Sequence, residues 1–251
     1  MKRIRKLKVL DKKKISNNLL RIILTGNDLK DFPENEKGGY VKLLFPKSKI
    51  NGEEFFQRPY TIRNFRKSNL ELDIDFANHT GNKGLATSWA YSVKPGESIV
   101  ISGPSSKPKI RENVDWLLFV GDMSALPAIS TYLEDLGKNT LGKAIIEILD
   151  NSDKINLVKP KNFEIIWSIN KGGVIENSDL VKNVYSLEWL KGTPYVWVAC
   201  EFNSMKVLRN YFQSEKKINK NEMYISSYWK SGENQETHKK IKQKDNLIWN
   251  K

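Results

Sequence analysis

Residues Trp116-Leu117-Leu118-Phe119-Val120 are all apolar, and the run is closed by Gly121-Asp122. A strand without polar alternation buries both of its faces, which is the situation of a parallel sheet covered by helices on each side. The segment that follows reads as such a helix. Leu126, Ile129, Leu133 and Leu136 recur at helical spacing, Ser124 is a suitable N-cap, and Pro127 falls in the first turn, where proline is tolerated. Runs of the same buried type recur at 144–149, 163–169, 195–200 and 223–227, and Met205, Leu208 and Phe212 mark a helical face between the last two. Strands alternating with helices predict an open α/β domain with a parallel sheet, whose ligands bind at the carboxyl ends of the strands.

The preceding hundred residues follow a different period. Short apolar-rich segments at 4–10, 19–25, 40–45, 60–65, 70–76 and 98–102 are separated by Gly, Asn, Asp and Pro. This spacing predicts a six-stranded antiparallel Greek-key barrel. Pro104 and Pro108 bracket the small polar stretch Ser105-Ser106-Lys107, read as a linker, so the domains are expected at 1–106 and 107–251.

The formal charge of +13 favours an anionic partner, whether nucleic acid, an acidic lipid surface or a small polyanion. The single cysteine, Cys200, excludes a disulfide framework, and two isolated histidines, His79 and His238, argue against a dedicated metal centre. No apolar run approaches the roughly 20 residues of a membrane span, and no apolar leader follows the basic start, which predicts a cytoplasmic protein. A nucleic-acid-binding reading of the lysines and seven tryptophans is disfavoured, because the aromatics lie inside strand and helix patterns rather than among basic residues on one surface.

Arg58-Pro59-Tyr60-Thr61-Ile62-Arg63 places two guanidinium groups, a phenol and a hydroxyl on one extended segment, an unusual content for a plain core strand. A strand-held arginine can pair bidentately with a pyrophosphate, while the tyrosine and threonine suit a flavin's ribityl chain and ring. Downstream, Asp75-Phe76 is followed by His79, Gly81, Gly84 and Leu85-Ala86-Thr87-Ser88-Trp89. Glycines followed by small residues that open a helical turn expose backbone N–H groups suited to phosphate.

In this order and spacing the segments resemble the siderophore-interacting protein family, FAD-dependent ferric-siderophore reductases of the ferredoxin-reductase superfamily. The resemblance implies that Arg58, Tyr60, Thr61 and Arg63 form the first flavin segment. Asp75, His79, Gly84, Ala86, Thr87 and Ser88 would form the second. Gly121-Asp122-Met123-Ser124-Ala125-Leu126-Pro127-Ala128 is similar to a family motif at the first strand of the second domain, which assigns Asp122, Ser124 and Ala125 to the nicotinamide nucleotide. Absence of a GxGxxG fingerprint argues against a standard Rossmann dehydrogenase. Glu201, Tyr228 and Trp229 fall in segments that face flavin and nicotinamide in the family. Cys200 departs from the glycine usual there and narrows the space for the hydride donor.

The function so implied is transfer of electrons from NADH or NADPH through FAD to iron(III) held in an anionic siderophore, without acid–base catalysis by the protein and without a protein-bound metal. Ferredoxin is an alternative donor, and a general flavin reductase an alternative activity. A monomer is expected. Lys47, Lys107, Lys230, Lys239 and Lys240 are candidates for a basic funnel that attracts the substrate. Acids at Glu147 and Asp150, ending the second α/β strand, suit a ribose 2′-hydroxyl and lean toward NADH, whereas Lys154 suits a 2′-phosphate. Arg58→Ala is expected to weaken retention of FAD far more than it weakens folding, as read from flavin content after gel filtration beside the thermal Tm. Equal losses would make the segment an ordinary barrel strand.

Overall fold

The computed structural model describes residues 3–47, 55–78, 84–111, 113–170 and 178–249. The chain divides into two compact units, Met1–Pro108 and Lys109–Lys251. No helix among the described residues is long and apolar enough to cross a membrane.

Among the described residues the first unit contains seven strands instead of the expected six: β1 (Ile4–Lys14), β2 (Leu19–Thr25), β3 (Tyr40–Pro46), β4 (Phe55–Thr61), β5 (Asn64–Arg66), β6 (Glu71–Ala77) and β7 (Ser98–Ser105). They form one antiparallel sheet in the order β4-β3-β7-β1-β2-β6-β5. The extra strand arises because the segment at 60–65 is divided. The Ile62 N–H donates to the Gly39 carbonyl at 2.8 Å, and the Arg63 N–H donates to the Asp73 carbonyl at 2.9 Å. Within two residues the chain therefore leaves β3 and joins β6. Strict alternation through the hexapeptide ends at Thr61, and Ile62 turns fully into the core.

β4 and β5 are opposite edges of the sheet but neighbours in sequence, so the sheet must curl into a half-barrel. Tyr60 of β4 accordingly lies against Phe76 of β6, with ring centroids 4.3 Å apart. Pro59 is tolerated because an edge strand has no need of its missing N–H. Leu7, Val9, Ile22, Leu24, Leu43, Ile74 and Ile101 project into the interior from alternating strand positions. A helix, α1 (Leu85–Ser92), adds Ala86, Ala90 and Trp89 to this core. Arg5 is also buried, with its guanidinium donating to the carbonyls of Gly103 at 2.6 Å and Asp28 at 3.0 Å.

Among its described residues the second unit has five parallel strands: β8 (Trp116–Gly121), β9 (Gly142–Ile148), β10 (Phe163–Ile169), β11 (Pro194–Glu201) and β12 (Met223–Trp229). Their order is β10-β9-β8-β11-β12, with helices α2 (Leu126–Asp135), α3 (Asp179–Tyr185), α4 (Phe202–Asn210) and α5 (Gln235–Trp249). Every residue of β8 and β11 is buried, as their unbroken apolar runs require. α2 starts later than expected, at Leu126 with Ala125 as N-cap, because Ser124 spends both its amide and its hydroxyl on Asp122. A Cβ on Gly121 would stand 2.7 Å from the Ala125 Cβ and 3.0 Å from the Ala199 carbonyl oxygen. Glycine is needed there for the turn to fold back so tightly over the sheet.

α5 carries the basic run at 239–244. Lys239 and Lys240 are exposed, whereas Lys242 turns inward. The helix is polar on most of its surface, and such a helix needs specific polar contacts to stay docked. One is the buried bidentate pair in which Arg209 of α4 donates to Asp245 at 2.6 and 2.8 Å.

Candidate active site

In the first unit the hexapeptide stands on the edge strand β4 and the turn beyond it. Tyr60 shares a hydrogen bond with Thr87 of α1, and burial pushes its phenol up to about 12, so the ring stays neutral at physiological pH. This contact ties β4 to the first turn of α1. Gly84 is the N-cap of that helix and supplies no side-chain hydrogen bond to its free N–H groups. Among the described residues, nothing lies within 4 Å of the position a Gly84 Cβ would take. A helix start without a side-chain cap, with Arg58 and Tyr60 on the neighbouring strand, is a suitable seat for an anionic ligand.

Ala86 and Thr87 are buried in α1, while Ser88 is exposed. Thr61 is half-buried at the end of β4. Arg58 lies over the Phe56 ring, 5.6 Å from its centroid, and donates to the Gln57 carbonyl. Asp75 faces protein instead. Arg21 donates to its two oxygens at 2.6 and 2.8 Å, and Arg63 stands 4.0 Å away. Arg63 is thus at the outer limit of an ion pair with Asp75, while Arg66 holds Asp73 and Glu71. His79 lies outside the described residues.

In the second unit the expected residues converge at the carboxyl edge of the sheet. Asp122 Oδ1 accepts from the Ser124 amide at 2.9 Å and the Ser124 hydroxyl at 2.5 Å. Its Oδ2 accepts from the Glu201 amide at 2.9 Å and from the Trp229 indole N–H at 2.8 Å. Glu201 then caps α4 by accepting from the amides of Asn203 and Ser204, and its other oxygen accepts from the Ser231 amide at 3.1 Å. The ends of β8, β11 and β12 are thus joined through two carboxylates. Ala125 is buried in the turn, and Tyr228 packs on Trp197 with its phenol pushed well above the ordinary value by burial.

Cys200 is fully buried among Val198, Phe202 and Met205. Burial, reinforced by the charges of Asp122, Glu147 and Glu201, raises its thiol well above the ordinary value, which makes it an unreactive packing residue. Glu147, at the end of β9, is pushed up to about 7 by burial and by the neighbouring charge of Asp122. Its Oε2 accepts from the Leu180 amide at the start of α3, 3.2 Å away. Asp150 is occupied locally, accepting from the Ser152 amide at 2.6 Å. Lys154 is exposed just beyond.

The basic residues are distributed over separate elements. Lys47 follows β3, with its ammonium 5.2 Å from the Phe56 ring centroid. Lys107 is half-buried after β7. Lys230 follows β12 and reaches Asn203 Oδ1 at 3.4 Å, whereas Lys239 and Lys240 lie on the exposed face of α5. Two residues with clear local roles, Arg21 and Ser231, were not singled out in the sequence. Arg21 faces Asp75 only through the register of β2 on β6, and Ser231 meets Glu201 only through its backbone amide.

Two family descriptions match the chain: a siderophore-interacting FAD-binding domain over residues 8–57 and 50–108, and a siderophore-interacting protein domain over 114–232. Among characterised relatives, ferric vibriobactin reductase ViuB of Vibrio cholerae is 31% identical over 90% of this chain and 89% of its own length. An NADPH-dependent ferric-chelate reductase of Escherichia coli is 25% identical over 90% of this chain and 93% of its own. The crystal structure of the siderophore-interacting protein SipS from Aeromonas hydrophila superposes with a TM-score of 0.85 at 30% identity, covering 97% of this chain and 98% of that one.

Asp122→Asn places an amide N–H before donors that already occupy the site, so a loss of about 1–3 kcal/mol is expected in denaturant unfolding of the second unit, with altered Trp229 fluorescence. Unchanged stability would deny Asp122 its joining role. Because Glu147 holds its proton to higher pH when folded, its contribution to stability is complete below about 4.5 and is lost as pH rises through about 7. Glu147→Gln is therefore expected to flatten the stability profile between pH 5 and 8, by roughly 1–2 kcal/mol. Denaturant titrations of both proteins at each pH measure the difference.

Proposed function

The chain belongs to the siderophore-interacting protein family, and from that premise we propose that it is an FAD-dependent reductase that takes electrons from NADH or NADPH and delivers them to iron(III) in a siderophore. The supporting observation is the coupling of Tyr60 to Thr87 beside the uncapped start of α1, inside the segment that matches the FAD-binding domain. In this reading the amides at the start of α1 and the Arg58 guanidinium hold the FAD phosphates. The neutral Tyr60 ring and the Thr61 hydroxyl position the flavin, and Ala86, Thr87 and Ser88 line its seat with His79. Arg63 and Asp75 keep β4 and β6 in place beneath it.

Bound FAD supplies conversion of a two-electron hydride into the single-electron steps that iron requires. The second unit is the nucleotide-binding one: Ser124 and Ala125 lie on the tight turn that meets the nucleotide, and Glu201, Tyr228 and Trp229 border the nicotinamide. Asp122 holds that turn and the Trp229 indole in one arrangement. The iron is cargo. Hard siderophore oxygens favour iron(III) strongly, so reduction loosens the complex and releases iron(II) without a protein ligand.

Charge gives the basic surface its part. Anionic ferric complexes would be concentrated by Lys47, Lys107, Lys230, Lys239 and Lys240, raising encounter rates by roughly 10–10³-fold at low salt. The working form is proposed as a cytoplasmic monomer, with ferredoxin as the donor to be compared against nicotinamide.

The purified protein should be yellow or become so with FAD, bleach anaerobically with NADH or NADPH, and recover colour on addition of a ferric catecholate while a ferrous chelator traps the iron. An FAD-loaded protein that neither nicotinamide bleaches, yet reduced ferredoxin does, would replace the donor. A colourless protein that FAD cannot reconstitute would overturn the function. Raising salt from 50 to 500 mM should increase KM for an anionic complex about tenfold or more and leave that for a neutral one nearly unchanged.

A further inference from the structure

The contacts between α5 and β12 include a buried polar cluster. His238 and Ser227 are 2% and 1% exposed, and the His238 Nε2 lies 2.9 Å from the Ser227 Oγ. Lys242, one turn further along the same helix, donates from Nζ to the Ser226 Oγ at 2.6 Å and to the Ser227 carbonyl at 2.7 Å. Arg209 and Asp245 add a bidentate pair one turn beyond. A buried serine backbone carbonyl, two hydroxyls, an imidazole and an ammonium are thus gathered where apolar packing would ordinarily suffice. Burial and the nearby charges of Lys242 and Lys230 lower the His238 imidazole to about 4, so it is neutral, and burial lowers Lys242 to about 8.

The strand held by these contacts is irregular at that point. Cys200 of β11 pairs with Ser227, but Glu201 pairs with Trp229, leaving Tyr228 as an extra residue. Such a bulge re-aims the side chains after it, and here both of its flanks are held by polar contacts. On the far flank the Trp229 indole is bonded to Asp122 and the Ser231 amide to Glu201. On the near flank the available anchors are Ser226 and Ser227, and α5 supplies their partners.

We infer that His238 and Lys242 are positioning residues for the reductase reaction: from α5 they fix Ser226 and Ser227, hold the bulge at Tyr228, and so keep the Trp229 indole on Asp122 where it borders the nicotinamide. The inference rests on the proposed role of Trp229. Neither α5 residue touches the reacting groups. Their effect is on how well the nicotinamide is placed, not on flavin retention or on delivery of electrons to iron. It also gives Lys242, whose neighbours Lys239, Lys240 and Lys244 are exposed, a purpose distinct from attraction of the substrate.

The test is steady-state nicotinamide oxidation by FAD-loaded Ser227→Ala, His238→Leu, His238→Gln, Lys242→Met and Trp229→Phe proteins. Dithionite-reduced samples reoxidised by ferric siderophore serve as a donor-independent control. Loss of the clamp is expected to raise KM for the nicotinamide about tenfold in H238L and in S227A, with kcat within about twofold, and to leave flavin content and dithionite-driven iron reduction unchanged. His238→Gln, which can still reach the Ser227 hydroxyl, should recover most of that loss, and K242M should resemble H238L. If H238L does not fold, S227A, which removes one hydroxyl, decides alone. Wild-type nicotinamide KM in folded S227A and H238L, even with a lowered Tm, overturns the inference when W229F raises that KM. A W229F protein with unchanged KM instead overturns the proposed role of Trp229 and the clamp's purpose with it.

Discussion

The second unit depends on one carboxylate. Asp122 stands where β8 ends, and its two oxygens receive donors from its own turn, from the end of β11 and from the end of β12. The carboxyl edge of a parallel sheet is where successive strands part and backbone amides lose their ladder partners. A buried anion with four donors satisfies those amides and is itself stabilised by charge-assisted bonds. The consequence extends beyond stability. Burial, with the negative charge that joins the strands adding to it, also raises the nearby Glu147 carboxyl to about 7 and pushes the Cys200 thiol well above its ordinary value.

The first unit meets a different constraint, the closure of a single sheet. Its edge strands are consecutive in sequence, and the turn through Ile62 and Arg63 forces them round a common core. Arginine–carboxylate pairs on β2, β5 and β6 keep that curvature: Arg21 on Asp75, and Arg66 on Asp73 and Glu71. The edge position of β4 leaves Arg58 and Tyr60 on a strand that needs no further partner on one side. Its attachment to α1 through Tyr60 and Thr87 sets them beside an uncapped helix start. Binding chemistry is thereby concentrated where the sheet would otherwise present a bare edge.

Much of this was legible in the chain because it depends on local pattern. The two central strands of the second unit, β8 and β11, were marked by near-continuous apolar runs, its other three by shorter apolar runs broken by polar residues, and the family segments by residue types in a specific order. Their roles were less accessible. The hexapeptide reads as one strand, yet it spans the end of β4 and a crossing to β6, since a change of hydrogen-bonding partner leaves no mark on the side chains. Asp75 reads as a ligand residue, but its oxygens are directed to Arg21, 54 positions earlier in the sequence. The basic run near the carboxyl end reads as uniform positive surface, while Lys242 within it is a half-buried donor to β12.

By itself the sequence determined the two fold classes, the order of the units and the family, because periodicity and motif spacing are properties of neighbouring residues. Only the tertiary structure decided the seventh strand, the joining of β8, β11 and β12 through Asp122, and the contrast between Arg58 on an open edge and Arg63 near Asp75. It also brought Lys242 to the buried pair Ser227 and His238. Those outcomes depend on strand register and on the burial of charge, which arise when distant segments exclude water together and have no signature in any one of them.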